Sequence, residues 1–217
     1  MIKAVIFDFD GLMVETETVS FKVYRKILAN YGIDYQLDTY VQDYSGHPET
    51  ENVANLINTY NLPLSYDQLF TLVITTEKEL LSSGVDLKPG LKELLIYLKN
   101  NNYKIAISSS SLTDRAMKIL DQHGINGYFD AFVFAEDITN GKPDPEIFLK
   151  AAEKLEVSPS DCLVLEDSEA GIEAAGSASM KVICIPDMKT PGPLFIRKTE
   201  AILYCLAEVI PFLSEAH

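Results

Sequence analysis

Positive charge is what this sequence has least of. Its 18 Lys and Arg stand against 32 Asp and Glu in 217 residues, a formal net charge of −14. The deficit excludes nucleic acid and anionic membrane as partners, because both are held by a basic footprint. It also means that the surface repels an anionic substrate, so a site for one must make its own positive field. Cysteine is scarce too. Cys162, Cys184 and Cys205 are odd in number and include no CxxC spacing. Cys162 and Cys184 lie in apolar, strand-like runs and read as small buried hydrophobes. No apolar run approaches the length of a membrane span. The nearest, "AILYCLAEVIPFL", contains Glu208 and Pro211 and reads as a packed helix. No signal peptide is expected, because Asp8 and Asp10 interrupt the N-terminal apolar run too early. Low-complexity tracts and internal repeats are also missing. The expectation is a soluble, cytoplasmic monomer in a reducing setting.

What the chain does have is apolar content, 47% of residues, enough to bury a sizeable core in one large domain or in a core with a smaller insert. "IKAVIFDFD" reads as a buried strand. From Thr18 to Gly32 the period changes: Val19, Val23, Ile27 and Tyr31 recur every four residues, and Gly32 is placed to end a helix. Helical spacing returns in "ENVANLINTY" at Val53, Ile57 and Tyr60, and from Tyr66 to Ser82, with no strand between Glu15 and Ser83. After "DLKPG" a βα rhythm begins. A helix with Leu91, Leu94, Leu95 and Leu98 stops at Asn100–Asn102, followed by the strand "YKIAIS" and a helix around Met117 and Leu120. The strand "AFVFA", a helix through Phe148 and Leu155, the strand "CLVLED", the helix "AGIEAAGSA" and a last strand, "KVICI", complete it. This alternation predicts a doubly wound parallel sheet. The α/β core is expected over 1–15 and 83–217, and an all-helical insert over 16–82. Such an insert is expected at the C-terminal edge of the sheet, where open α/β folds place ligands.

Nearly every core strand ends in a polar group: Asp8 and Asp10, then Ser108 to Ser111, then "EDITNGKPDP" with Lys142, then Glu166 and Asp167. Each has an ordinary explanation by itself, as a turn residue, a loop serine, a solvated lysine or a helix start. In a parallel sheet, however, these ends share one edge, and together they outweigh the separate explanations. Asp8 and Asp10 project alike only while the backbone stays extended, and Gly11 permits a sharp turn beyond them. Carboxylates gathered in a crevice repel. A divalent cation relieves that repulsion, and an all-oxygen site suits Mg²⁺, which pairs with phosphate. Lys142 adds a second positive charge, a serine hydroxyl with backbone N–H groups can hold a phosphoryl oxygen, and one carboxylate is left to act as nucleophile.

The stretches "DFDGLMVET", "ISSSS", "GKPDP" and "LEDS" resemble the four motifs of the haloacid dehalogenase superfamily, in that family's order and across essentially the whole chain. The helical block resembles the α-helical cap of the beta-phosphoglucomutase-like branch. The resemblance implies a Rossmann-like core and gives each residue a role. Asp8 is the nucleophile that forms an aspartyl-phosphate, and Asp10 the general acid that later activates water. Ser109 or its neighbour Ser108, with Ser109 preferred, binds phosphate together with Lys142 and Gly11. Mg²⁺ is held by Asp8, the main-chain carbonyl of Asp10 and Asp167, with Glu166 bound directly or through water.

Two departures bear on function. Glu15 stands before Thr16 where the family often has Asp, which moves a carboxylate that helps fix the loop. In the insert, Ser20 and Glu49 fall where mutases of this branch carry His and Arg. An acid there repels the second phosphate that a mutase must hold, and His47 nearby is an exposed, incidental histidine. The expected substrate is therefore a small phosphomonoester, a sugar or polyol phosphate, hydrolysed by a Mg²⁺-dependent phosphatase. A phosphosugar mutase is the alternative. A dehalogenase is disfavoured by Asp10-Gly11, and a non-catalytic binder by the presence of Asp8, Asp10 and Lys142. Tyr44 to Glu51 is the expected specificity loop.

Overall fold

The computed structural model describes residues 1–215, so the last two residues of the expected core lie outside the described residues. In chain order the elements are β1 (Ala4–Phe7), α1 (Thr16–Ala29), α2 (Leu37–Asp43), α3 (Glu49–Tyr60), α4 (Tyr66–Ser82), α5 (Leu91–Asn100), β2 (Lys104–Ser108) and α6 (Thr113–His123). They continue with β3 (Ala131–Val133), α7 (Glu146–Leu155), β4 (Cys162–Glu166), α8 (Glu169–Ser177), β5 (Lys181–Cys184), α9 (Pro193–Ile196), β6 (Ala201–Ile202) and α10 (Val209–Glu215). The chain divides into two compact units, Met1–Glu15 with Asp86–His217, and Thr16–Val85. The second crossing falls three residues beyond the expected Ser82–Ser83 boundary.

The first unit is built on a six-stranded sheet in the order β3-β2-β1-β4-β5-β6, with every pairing parallel. This is the Rossmann-like, doubly wound arrangement expected. Ala4, Val5, Ile6 and Phe7 are all fully buried, as a central parallel strand covered on both faces must be. Burying a side chain the size of Val, Ile or Phe contributes about 1.5–3 kcal/mol each, which anchors β1 firmly at the centre of the sheet. Ile147, Phe148, Ala151 and Ala152 of α7 and Ile172, Ala174 and Ala175 of α8 pack against one face of the sheet. Leu91, Leu94, Leu95 and Leu98 line the buried side of α5. The stop after α5 is also as read: Asn102 takes a left-handed φ of 59°, which Asn tolerates better than most residues.

The sheet does not end at "KVICI". A sixth strand of two residues, Ala201–Ile202, pairs with β5, and it occupies the start of the segment expected to be one packed helix. Only Val209–Glu215 of that region is α-helical. Two edge residues are too few to show a strand period, which is why the pattern reads as helix throughout.

The second unit contains the four helices α1 to α4. α1 and α3 both pack on α4, and Ser65 starts α4 with a capping box: its Oγ accepts from the Gln68 N–H at 3.3 Å, and Gln68 Oε1 accepts from the Ser65 N–H at 2.8 Å. Val19, Val23 and Ile27 of α1 are buried, but Tyr31 lies past the helix end and is exposed. The centre of the unit is aromatic. Tyr24, Tyr35, Tyr40 and Tyr44 pack with ring planes 60–74° apart and centroids 5.8–6.4 Å apart, and Phe21 and Tyr60 extend the cluster. Among the described residues, no helix is long and apolar enough to cross a membrane.

Candidate active site

Asp8 follows β1 directly. Its N–H donates to the Leu165 carbonyl at 3.0 Å, continuing the ladder with β4, so the sheet fixes its backbone. Glu166 ends β4 and Asp167 follows it. Lys142 arrives from the loop between β3 and α7. Its Nζ donates to Asp8 Oδ1 and to Glu166 Oε1 and stands 5.0 Å from the centroid of the buried Phe148 ring. These three charged side chains are each no more than 10% exposed, so little solvent screens them. The structure thus brings together Asp8, Lys142, Glu166 and Asp167, which the sequence spreads over 160 residues.

Glu166 is saturated with donors. Besides Lys142, its Oε2 accepts from the Asp167 N–H, the Ser168 N–H and Ser168 Oγ, each at 2.9 Å. Gly171, on the first turn of α8, makes room for it: a Cβ there would overlap the Glu166 carboxyl group. Gly11 plays a matching part beneath Asp167. It takes φ 78°, and a Cβ on it would overlap the Asp167 carboxylate. Its N–H, which phosphate binding would use, donates instead to the Val14 carbonyl at 3.1 Å.

One ammonium faces more carboxylates than it can neutralise. Burial pushes the Asp8 carboxyl up to about 8; Lys142 pulls it back, while Glu166 and Asp10 push it further up. Burial works against the Lys142 charge, but Asp8 and Glu166 outweigh burial and hold its pKa above the ordinary lysine value. One carboxylate oxygen each from Asp8, Glu166 and Asp167 lies within 4.8 Å of the others, an all-oxygen donor set that fits a hard divalent cation such as Mg²⁺.

Asp10 sits one residue beyond the Asp8–Phe9 step, with its carboxylate held from α6 and the loop before it. Arg115 Nη1 donates to Asp10 Oδ1 at 2.7 Å and to Ser111 Oγ at 2.6 Å, and Ser111 Oγ donates to Asp10 Oδ2. Ser109 lies just past β2, where its Oγ accepts the Ser111 N–H at 3.0 Å. Ser108 remains within the strand, and its buried Oγ has no hydrogen-bond partner among the described residues.

A third group ties the chain where it leaves and re-enters this unit. Lys88 Nζ donates to Glu15 Oε2 at 3.1 Å and to Asp187 Oδ1. The main chain adds Glu15 N–H to Asp86 O at 3.0 Å and Lys88 N–H to Met13 O at 2.9 Å. Burial raises the Asp187 carboxyl pKa, with Lys88 opposing it.

Arg115, Gly171, Lys88 and Asp187 were not legible as site residues. Gly171 had a weak signal in the small-residue helix that follows "LEDS", and Arg115 had one in its i,i+4 spacing from Ser111. Lys88 and Asp187 had none.

The profile of the haloacid dehalogenase-like hydrolases matches residues 5–185. A phosphorylated carbohydrates phosphatase of Thermotoga maritima is 34% identical over 216 residues, covering 96% of this chain and all of that protein. The beta-phosphoglucomutase of Bacillus subtilis is 37% identical over 185 residues, covering 82% of this chain and 80% of the relative. The crystal structure of a beta-phosphoglucomutase from Clostridium difficile superposes with a TM-score of 0.79 at 29% identity, over 99% of this chain and 96% of that one.

Proposed function

Because the chain belongs to the haloacid dehalogenase-like hydrolase family, we propose that it is a Mg²⁺-dependent phosphatase of a small phosphomonoester, a sugar or polyol phosphate. The observation that carries the reading is the buried Lys142 shared by Asp8 and Glu166, with Asp167 beside them at the ends of two neighbouring strands.

In this reading an Asp8 oxygen attacks phosphorus while the bond from phosphorus to the leaving oxygen breaks, and Asp10 passes a proton to that oxygen. Water then attacks the phosphorus of the aspartyl-phosphate while the bond from phosphorus to the Asp8 oxygen breaks, Asp10 takes the water's proton, and inorganic phosphate leaves with the Asp8 carboxylate restored. Lys142 holds Asp8 in line and offers its remaining N–H to a phosphoryl oxygen. Ser109, at the end of β2, supplies a hydroxyl to another. Asp8, Asp167 and the main-chain carbonyl of Asp10 would hold Mg²⁺, which supplies positive charge against the phosphoryl oxygens. Glu166, its oxygens already satisfied, anchors Lys142 and would support the ion from outside its direct ligands.

The mutase reading has the beta-phosphoglucomutase relatives in its favour. Glu49 speaks against it. Its Oε1 accepts from the Tyr24 hydroxyl at 2.9 Å, so an acid is built into the helical unit where those enzymes need a phosphate-binding cation.

Phosphate release across a panel of sugar and polyol phosphates, with Mg²⁺ and with chelator, tests the proposal. Turnover should require the metal and fall at least about 10³-fold in Asp8→Asn. Metal-independent turnover, or an active Asp8→Asn protein, would overturn it. Isomerisation of a sugar phosphate primed with its bisphosphate would instead establish the mutase.

A further inference from the structure

We infer that Arg115 is a positioning residue that aims the Asp10 carboxyl group at the leaving oxygen. The inference rests on the reading of Asp10 as the proton donor. Arg115, Ser111 and Asp10 form a closed ring of three contacts: Arg115 Nη1 to Asp10 Oδ1 at 2.7 Å, Arg115 Nη1 to Ser111 Oγ at 2.6 Å, and Ser111 Oγ to Asp10 Oδ2. Each carboxylate oxygen therefore has its own donor, and the two donors are themselves bonded. This fixes the rotation of the carboxyl plane, which a single contact would leave open.

The ring is mounted on a rigid element. Ala116, Ile119 and Leu120 bury one side of α6, and Ser111 is tied back through its N–H to Ser109 Oγ. Asp10, by contrast, lies in the loop beyond Asp8 with a side chain 30% exposed. A proton donor must stand within hydrogen-bond reach of the oxygen it serves. Here the reach is set by a guanidinium whose planar shape Lys lacks.

Proton donation matters in proportion to the basicity of the leaving oxygen. An alkoxide needs the proton as its bond to phosphorus breaks; p-nitrophenolate leaves without it. We therefore compare kcat/KM, which reports the first phosphoryl transfer, for the best sugar or polyol phosphate and for p-nitrophenyl phosphate. Arg115→Ala should lose about 10²-fold on the alkyl ester and no more than a few-fold on the aryl ester. Ser111→Ala should show a smaller loss of the same selectivity, and Arg115→Lys should recover part of it. Asp10→Asn serves as the standard and should show the same selectivity in full.

If Asp10→Asn is selective while Arg115→Ala slows both esters equally, or neither, the positioning role fails and the reading of Asp10 stands. If Asp10→Asn is itself unselective, the reading of Asp10 fails and this inference with it. Calorimetric binding of the alkyl ester to Asp8→Asn, with and without Arg115→Ala, should give equal affinities. A weakened affinity would assign Arg115 to substrate binding and overturn the proposal.

Discussion

The two units bury polar groups in opposite ways. The α/β unit buries formal charge: Asp8, Lys142 and Glu166 are nearly inaccessible and touch one another. The helical unit buries neutral hydroxyls. Tyr24, Tyr35, Tyr40 and Tyr44 are each at most 2% exposed, and burial holds the first three far above the ordinary tyrosine pKa, so they stay protonated. Tyr24 and Tyr40 each donate to a carboxylate, Glu49 and Glu17, at 2.9 Å. A buried charge is costly unless paired and rarely improves on a hydrophobic replacement. A buried tyrosine adds a large apolar area and needs only one acceptor. The difference teaches that the helical unit uses polarity to hold itself together, whereas the α/β unit carries polarity whose justification is chemical.

That contrast can be broken most severely at Lys142. Lys142→Met leaves Asp8 and Glu166 facing each other without a cation, and equilibrium denaturant unfolding should show a loss of about 3–5 kcal/mol, with phosphate release abolished. Gly171→Ala comes next. The new Cβ meets the Glu166 carboxyl, and because the clash is with a charged anchor, the expected cost is about 1–3 kcal/mol together with a higher Mg²⁺ concentration for half-maximal activity. A stability loss with unchanged Mg²⁺ dependence would separate Glu166 from the metal site. In the helical unit the effects should fall on stability and not on turnover. Tyr24→Phe removes one hydrogen bond to a carboxylate, about 1.5–3 kcal/mol by unfolding, and leaves chemistry at Asp8 intact. Tyr35→Phe sharpens the comparison further. Among the described residues its buried hydroxyl has no hydrogen-bond partner, so the substitution should leave the unfolding midpoint unchanged or raise it. A large loss there would mean that the helical unit depends on that hydroxyl after all.

The same contrast explains what could be read from the sequence. β1, β2 and β4 were legible because a central parallel strand is apolar without interruption and then stops at a polar residue, as "AVIFD" and "CLVLED" do. Asp8, Lys142, Glu166 and Asp167 were legible for the same reason: parallel topology alone brings strand ends to one edge. The aromatic centre of the helical unit was not, since Tyr24, Tyr35, Tyr40, Tyr44 and Tyr60 come from several helices and loops and share no period. α2 was likewise unread, lying between helices with clearer spacing. Arg115 and the Lys88–Glu15–Asp187 group depend on side-chain placement across long separations, which no local pattern records. The role of Gly11 was read in kind but not in detail, because its turn was foreseen and its engaged N–H was not.

The strand order has a consequence for how the protein is made. β1 is paired on one side by Lys104–Ser108 and on the other by Cys162–Glu166. A chain emerging from the ribosome therefore presents its first strand long before either neighbour exists. At translation rates of about 5–20 residues per second, roughly ten to thirty seconds separate the appearance of Asp8 from that of Leu165, whose carbonyl receives its N–H. Until Lys104–Ser108 is made "AVIF" is an unpaired apolar segment that invites chaperones or aggregation, and until β4 follows one of its edges stays open. A nascent chain cut short before β4 would lack Glu166 and Asp167, so the carboxylate cluster at the strand ends can form only after Cys162–Glu166 has been made.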